Sequence, residues 1–395
     1  MKKHILFIVE NSTVPFDLRV WAEAKSLKEF GYDISIITPI KLNGKLKYEN
    51  IDGIDVYRHP MPLEAEGKFA FIFEYLNALF WEFFLSIKLF VKKPFHVIHA
   101  ANPPDHVFII ALIFKLLGVK FVFDHHDICP ENYLAKFDRK DFLYNMLLIM
   151  EKLTFKSATI VISTNESYKK IAIERGSVKE KNVYVVRNGP DLSRVQYVPP
   201  NPKLKEGFNY LVSYVGVIGK QEGIENLLNS VHYIVHEKGI ADIKFIVIGT
   251  GPHWNELVAL SESMRLEKFI TFTGFIPYRD FYEILATSDL CVNPEFKNDF
   301  TDKSTMWKIM DYMIFGKPIV QYNTVEGKNT AGNSAMYIMD NNEIQFAEGV
   351  LTLLSDSKRR KQMGRIGRER IHSKLSWDFQ KVNLKNAYDF LENSA

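Results

Sequence analysis

The feature that most constrains this chain is an alternation of short β-branched runs with helical stretches, which runs its course once, breaks, and then begins again. The first series reads as strands at Ile5–Val9, Ile34–Thr38, Val97–Ala100, Lys120–Asp124, Thr159–Ser163 and Val183–Val186. Helical segments lie between most of them. One is Leu18–Phe30, and Gly31 stands where a C-capping glycine would end it. Strands separated by helices are joined by crossovers and run parallel. The second series opens with Tyr210–Val217 and continues through Ile243–Ile248, Phe269–Phe272, Leu290–Val292 and Pro318–Gln321. Between the two lies 194–207, whose Pro199, Pro200 and Pro202 block regular structure, so the domain linker is expected there. A chain of 395 residues suits two cores rather than one. The pattern predicts two doubly wound α/β domains, 1–195 and 208–375, followed by a last helix within 376–395.

Charge and cysteine content narrow the function classes. A net charge of +3 with dispersed basic residues gives no reason to expect nucleic acid as a partner. Cys129 and Cys291 are too few for a disulfide framework and match no zinc spacing, so they read as two reduced thiols of a cytoplasmic protein. The apolar run after Met1-Lys2-Lys3-His4 is short and is followed at once by Glu10-Asn11, which fits a first strand better than an export signal. The segment 69–92 is rich in Phe at helical spacing, with Glu74, Asn77, Glu82 and Lys88 interrupting it. It is expected to be a helix wedged against the sheet, or one whose aromatic face dips into a membrane surface with Lys88, Lys92 and Lys93 at the headgroups.

Four stretches could carry chemistry. Gly216-Val217-Ile218-Gly219-Lys220-Gln221-Glu222-Gly223 follows a strand and opens a helix, which is where a glycine turn brings backbone N–H groups to a phosphate. The same glycines could simply make a tight turn. The stretch 302–313 begins a helix near Ser304, with Ser304 or Asp302 as N-cap. Ser304, Thr305 and Met306 lie at its positive end, and Lys308 and Asp311 follow about one and two turns along. That pair could bind a diphosphate and a ribose, or could be a solvated surface pair. Asp124-His125-His126-Asp127, with Glu131 beyond, ends a strand of the first series, where ligands of open α/β sheets bind. Neighbours in sequence cannot all face one metal, so hydrogen bonding and acid–base chemistry fit better than a metal site. Glu10-Asn11 follows the first strand at another carboxyl end. There is no Gly-x-Gly-x-x-Gly, Gly-x-Ser-x-Gly, phosphate-binding loop or Asp-x-Asp pair.

Together these stretches resemble glycosyltransferase family 4. Asp17-Leu18-Arg19-Val20-Trp21, His125-His126-Asp127 with Pro130-Glu131, Asn188-Gly189 before Asp191, and Asp302 to Met313 with Gly316-Lys317-Pro318 stand in the family's order. Ala331-Gly332 and the final helix follow as they do in the Ser-Thr-Met-x-Lys-x-x-Glu-Tyr-Met subgroup. The resemblance implies a retaining GT-B enzyme, with two Rossmann-like domains facing a central cleft and the last helix packing back on the first domain. It implies that Gly216, Gly219, Asp302, Ser304, Thr305, Met306 and Asp311 hold a nucleoside diphosphate sugar, with UDP as the expected nucleotide. His126, Lys308 and Lys220 would serve the reaction, while Asn11, Asp127 and Glu131 would face a saccharide or lipid-linked acceptor. No metal or other cofactor is implied. A nucleotide-sugar epimerase or hydrolase, or a non-catalytic subunit, would share this framework. The chain departs from the family where its first Glu of the Glu-x7-Glu pair would fall, because Lys303 stands there, and Asp311 replaces the second. The site of action expected from the membrane reading is the inner face of a membrane, in cell-surface polysaccharide synthesis.

Overall fold

The structure is a computed structural model that describes residues 2–40, 47–60 and 68–393, with the side chains of 68–74 left aside. It divides into two compact units. The first comprises residues 1–188 together with 377–395, and the second residues 189–376. The chain therefore enters the second unit at Gly189, ahead of the proline-rich stretch in which the linker was expected.

The first unit is built on an eight-stranded sheet. Its strands are β1 (His4–Val9), β2 (Asp33–Pro39), β3 (Tyr48–Ile51), β4 (Ile54–His59), β5 (Val97–Ala101), β6 (Lys120–His125), β7 (Ile160–Ser163) and β8 (Val183–Val185), in the order β3-β4-β2-β1-β5-β6-β7-β8. Every pairing is parallel except β3 with β4. That hairpin is absent from the sequence reading. Its turn, Asp52-Gly53, takes positive φ at both residues, the requirement that makes Asp-Gly a hairpin signal. The strand β1 is fully buried, as an apolar run inside a doubly covered parallel sheet must be. The terminal helix Trp377–Asn393 adds Trp377, Leu384, Tyr388 and Leu391 to the core around β1. Its Trp377 indole donates to Ser26 at 2.8 Å on α1 (Leu18–Glu29).

The second unit carries a six-stranded, all-parallel sheet. Its strands are β9 (Tyr210–Val215), β10 (Ile243–Ile248), β11 (Ile270–Phe272), β12 (Leu290–Asn293), β13 (Ile319–Tyr322) and β14 (Ala335–Ile338), ordered β11-β10-β9-β12-β13-β14. In each sheet the strand order reverses beside the unit's first strand. The crevice lies between β1 and β5 in the first unit and between β9 and β12 in the second, and such switch points are where open α/β sheets bind ligands.

The aromatic-rich segment forms α2 (Lys68–Lys92), and it is turned the opposite way to a helix buried all round. Ala78, Glu82 and Leu89 face inward, with α2 packing on β2 and β4. Leu76, Phe80, Phe84, Ile87 and Val91, spaced three or four residues apart on one stripe, are 43–80 % exposed. No helix among the described residues is long and apolar enough to cross a membrane.

Candidate active site

In the second unit the chemistry gathers at the carboxyl ends of β9 and β12. After β9 the chain turns through Gly216–Gly219, makes one short 3-10 turn at Lys220–Glu222, and passes Gly223 into the helix Ile224–His232. Glycine is demanded here by close backbone approach. A Cβ on Gly249 would meet the carbonyl oxygen of Gly216 at 1.9 Å, and one on Gly223 would meet that of Pro294 at 2.2 Å. Both also hold positive φ, of 131° and 71°.

Lys308 lies against this turn. The helix that carries it, Trp307–Ile314, begins at Trp307 and not near Ser304, and its N-cap residue Met306 makes no side-chain cap bond. The Ser304 hydroxyl donates instead to the Phe300 carbonyl at 2.8 Å. Asp302 is drawn to another element. It accepts from the Val325 amide at 2.8 Å, where the helix Val325–Ala331 begins, and lies 3.3 Å from Lys297. The Tyr312 hydroxyl fixes the Lys308 helix by accepting from Val215 at 3.0 Å and donating to Val292 at 3.1 Å, which pins it to the ends of β9 and β12. The Lys308 ammonium is then 8 % exposed. It donates to Glu222 at 2.6 Å and to the Tyr214 hydroxyl at 3.0 Å, sits 4.7 Å from the Tyr214 ring centre, and also bonds Glu295.

Two carboxylates thus share one buried cation. Burial opposes ionisation of Glu222, yet Lys308 holds it below its ordinary range. Burial pushes Glu295 up to about 7 against the pull of the same lysine. The Lys308 ammonium is raised well above its usual value, because the surrounding carboxylates outweigh its own burial. Glu295, in the loop after β12, is the residue that motif reading missed. Asp311, partly buried three residues beyond Lys308, is pushed by burial up to about 7 and has no hydrogen-bond partner for its carboxyl among the described residues. Lys220 is exposed on the turn, and Lys303, 3.6 Å from Asp299, does not join the cluster.

In the first unit three stretches of the family-like pattern meet at one guanidinium. Arg19 donates two bonds to Asp124, at 3.0 and 2.7 Å, and further bonds to the Val186 carbonyl at 2.8 Å and the Asn188 side chain at 3.1 Å. Glu23 lies 3.0 Å from the same group. Burial opposes it, yet Arg19 holds Asp124 far below the usual carboxylate range. His99 completes the cluster, 3.2 Å from Glu23 and 2.7 Å from the Tyr388 hydroxyl of the terminal helix.

The paired histidines then part company. His125 is buried among Phe123, Phe155 and Tyr168, and burial together with Arg175 lowers it to about 3. His126 keeps 11 % of its side chain exposed, with Nδ1 3.7 Å from Asp124. Asn102, after β5, fixes the loop by accepting from the amides of His126 at 2.8 Å and Asp127 at 3.0 Å. The side chains of Asp127 and Glu131 do not reach the His126 ring. Asp127 accepts from the Ile128 amide at 2.8 Å at the start of α4 (Cys129–Phe137), and Glu131 takes two bonds from Arg175, at 2.6 and 3.1 Å. Asn11 is exposed in the loop after β1.

Known protein families match each half of the chain separately. Residues 19–194 match the family described as Glycosyltransferase Family 4, and 209–356 match Glycosyl transferases group 1. An uncharacterised glycosyltransferase of Methanocaldococcus jannaschii is 23 % identical over 92 % of this chain and 91 % of its own. The capsular polysaccharide biosynthesis glycosyltransferase CapM of Staphylococcus aureus is 26 % identical over 65 % of this chain and 68 % of its own. Anabaena HepE, solved in complex with UDP-glucose, superposes with a TM-score of 0.72 at 14 % identity, covering 99 % of this chain and all of that one. Both halves match glycosyltransferase families in order, the fold is GT-B, and the chain is a transferase enzyme of the glycosyltransferase kind.

Proposed function

We propose that the enzyme transfers a sugar from UDP-sugar, with retention at the anomeric carbon, to a saccharide or lipid-linked saccharide in cell-surface polysaccharide synthesis. The observation that carries the donor half is the Lys308 ammonium held at the Gly216 turn by Glu222 and Glu295. A leaving diphosphate gathers charge in the transition state, and a preorganised buried cation stabilises that charge without reorganising. Asp311, whose carboxyl has no other partner among the described residues, suits the ribose hydroxyls of the nucleotide. HepE with UDP-glucose and the capsular transferase CapM support the choice of UDP and of a polysaccharide product. On the acceptor side, His126 is the exposed member of its pair and stands beside a carboxylate that stays ionised. On this reading the Lys308 ammonium neutralises the leaving diphosphate in place of a metal ion.

The stripe on α2 supports work at a membrane. Leu76, Phe80, Phe84, Ile87 and Val91 share it, and the neighbouring α3 (Phe108–Lys115), whose Phe114 packs on Phe90, exposes Ile109, Leu112 and Ile113. Lys88 and Lys92 flank the stripe, so an anionic inner leaflet is the surface it fits. Each exposed Phe taken out of water would contribute about 1.5–3 kcal/mol. A Phe80→Ser, Phe84→Ser double variant is expected to lose flotation with anionic vesicles while still turning over a water-soluble acceptor.

The transfer itself is tested by incubating candidate UDP-sugars with and without acceptor saccharides and reading the anomeric configuration of the product by NMR. Retained configuration appearing only with acceptor is expected. Conversion of donor alone to an epimer, or an inverted product, would overturn the reading.

A further inference from the structure

We propose that Glu10, Glu82 and His106 form a binding site for a divalent transition-metal cation, of the zinc or manganese class, at the switch point of the first unit. One ligand atom from each of the three residues lies within 4.8 Å of the others. Glu10 follows β1 directly, His106 follows β5, and Glu82 reaches in from the inward face of α2. Glu82 is completely buried, and among the described residues neither of its carboxylate oxygens has a hydrogen-bond partner. The His106 Nε2 stands 3.0 Å from a Glu10 oxygen.

A buried carboxylate without a partner is among the costliest arrangements a fold can hold. Protonating Glu82 would remove its charge, but among the described residues the acid would still lack a hydrogen-bond partner. A divalent cation resolves both problems. It neutralises the two carboxylates and takes the His106 imidazole nitrogen as a third ligand. A set of two carboxylates and one imidazole suits zinc or manganese.

The other carboxylate–histidine cluster of the same unit supplies the contrast. Glu23, His99 and Asp124 also lie within 4.8 Å of one another, but the Arg19 guanidinium sits among them and meets both Asp124 and Glu23. That cluster already holds its cation. Among the described residues no lysine or arginine takes the same place around Glu82, and the positive influence on its carboxyl comes from His106. A metal there would tie α2 to the end of β1 beside Asn11. Three protein ligands would leave a coordination position open to water or to an oxygen of a bound molecule. This inference is independent of the sugar chemistry proposed above.

The test uses full-length protein without an affinity tag, stripped with chelator and titrated with Co²⁺ alone while its visible d–d absorption is followed, then displaced with Zn²⁺. One equivalent is expected to bind, and Glu82→Gln and His106→Ala are each expected to weaken binding at least about 10-fold. Zinc should raise the Tm of the wild type and leave that of Glu82→Gln unchanged. Absence of saturable binding by the wild type would overturn the proposal without reference to any variant. So would binding that both variants retain at wild-type strength.

Discussion

Both units place a buried cation among carboxylates at the ends of their strands, but the two clusters are built to opposite ends. In the first unit Arg19 bonds Asp124, a main-chain carbonyl and Asn188, and Glu23 closes the ring. Asp124 is held far from titration. In the second unit Lys308 is shared between Glu222 and Glu295, and Glu295 is left close to neutrality, at about 7. A guanidinium with a fixed fork suits a permanent joint, whereas an ammonium on a flexible stem can change partners. The lesson is that charge at a strand end marks function only where its pairing can be exchanged.

The largest expected effect sets the two cations directly against each other. Arg19→Met takes the guanidinium from buried Asp124 and Glu23, leaving His99 between them, and should cost about 3–5 kcal/mol of stability, read from the urea midpoint. Lys308→Met should cost clearly less in the same experiment, because Glu295 can take up a proton in place of the lysine. Equal losses would remove the distinction between joint and exchangeable pair.

A second expectation concerns pH. Below about 7 Glu295 is protonated, Lys308 is released from one partner, and the incoming diphosphate meets one negative charge fewer. Above 7 that carboxylate ionises and competes for the lysine. UDP affinity should therefore fall about tenfold between pH 6 and pH 8 if one proton is bound with the nucleotide. A flat profile would mean that Glu295 keeps its lysine in the complex. The smallest effect is expected at His126. Its ring makes only the 3.7 Å approach to Asp124, so His126→Gln should change stability by less than about 0.5 kcal/mol while lowering the transfer rate.

What could be read from the sequence follows the range of the interactions involved. The parallel strands and the glycine turn were legible because period and punctuation are local signals. Lys308 and His126 were singled out because they lie within contiguous stretches that resemble a family. Glu295, Asn102 and His99 were not, since each acquires its role from residues tens of positions away. The start of the Lys308 helix was misplaced for a related reason. Ser304 looks like an N-cap, but its hydroxyl bonds backward to Phe300, and the helix waits until Trp307. The Asp302 carboxyl, free to face a donor sugar as far as sequence could tell, is used at the start of the helix Val325–Ala331. The orientation of α2 was open as well, because both of its faces are apolar and only tertiary packing selects the one that meets the sheet.

The central claim is that the shared lysine of the second unit receives the diphosphate. Calorimetric titration of UDP into wild type and Lys308→Met at pH 7 tests it most directly. The account predicts saturable binding by the wild type and at least about tenfold weaker binding by the variant, from the loss of one charge-assisted contact. Equal affinities in the two proteins would contradict it.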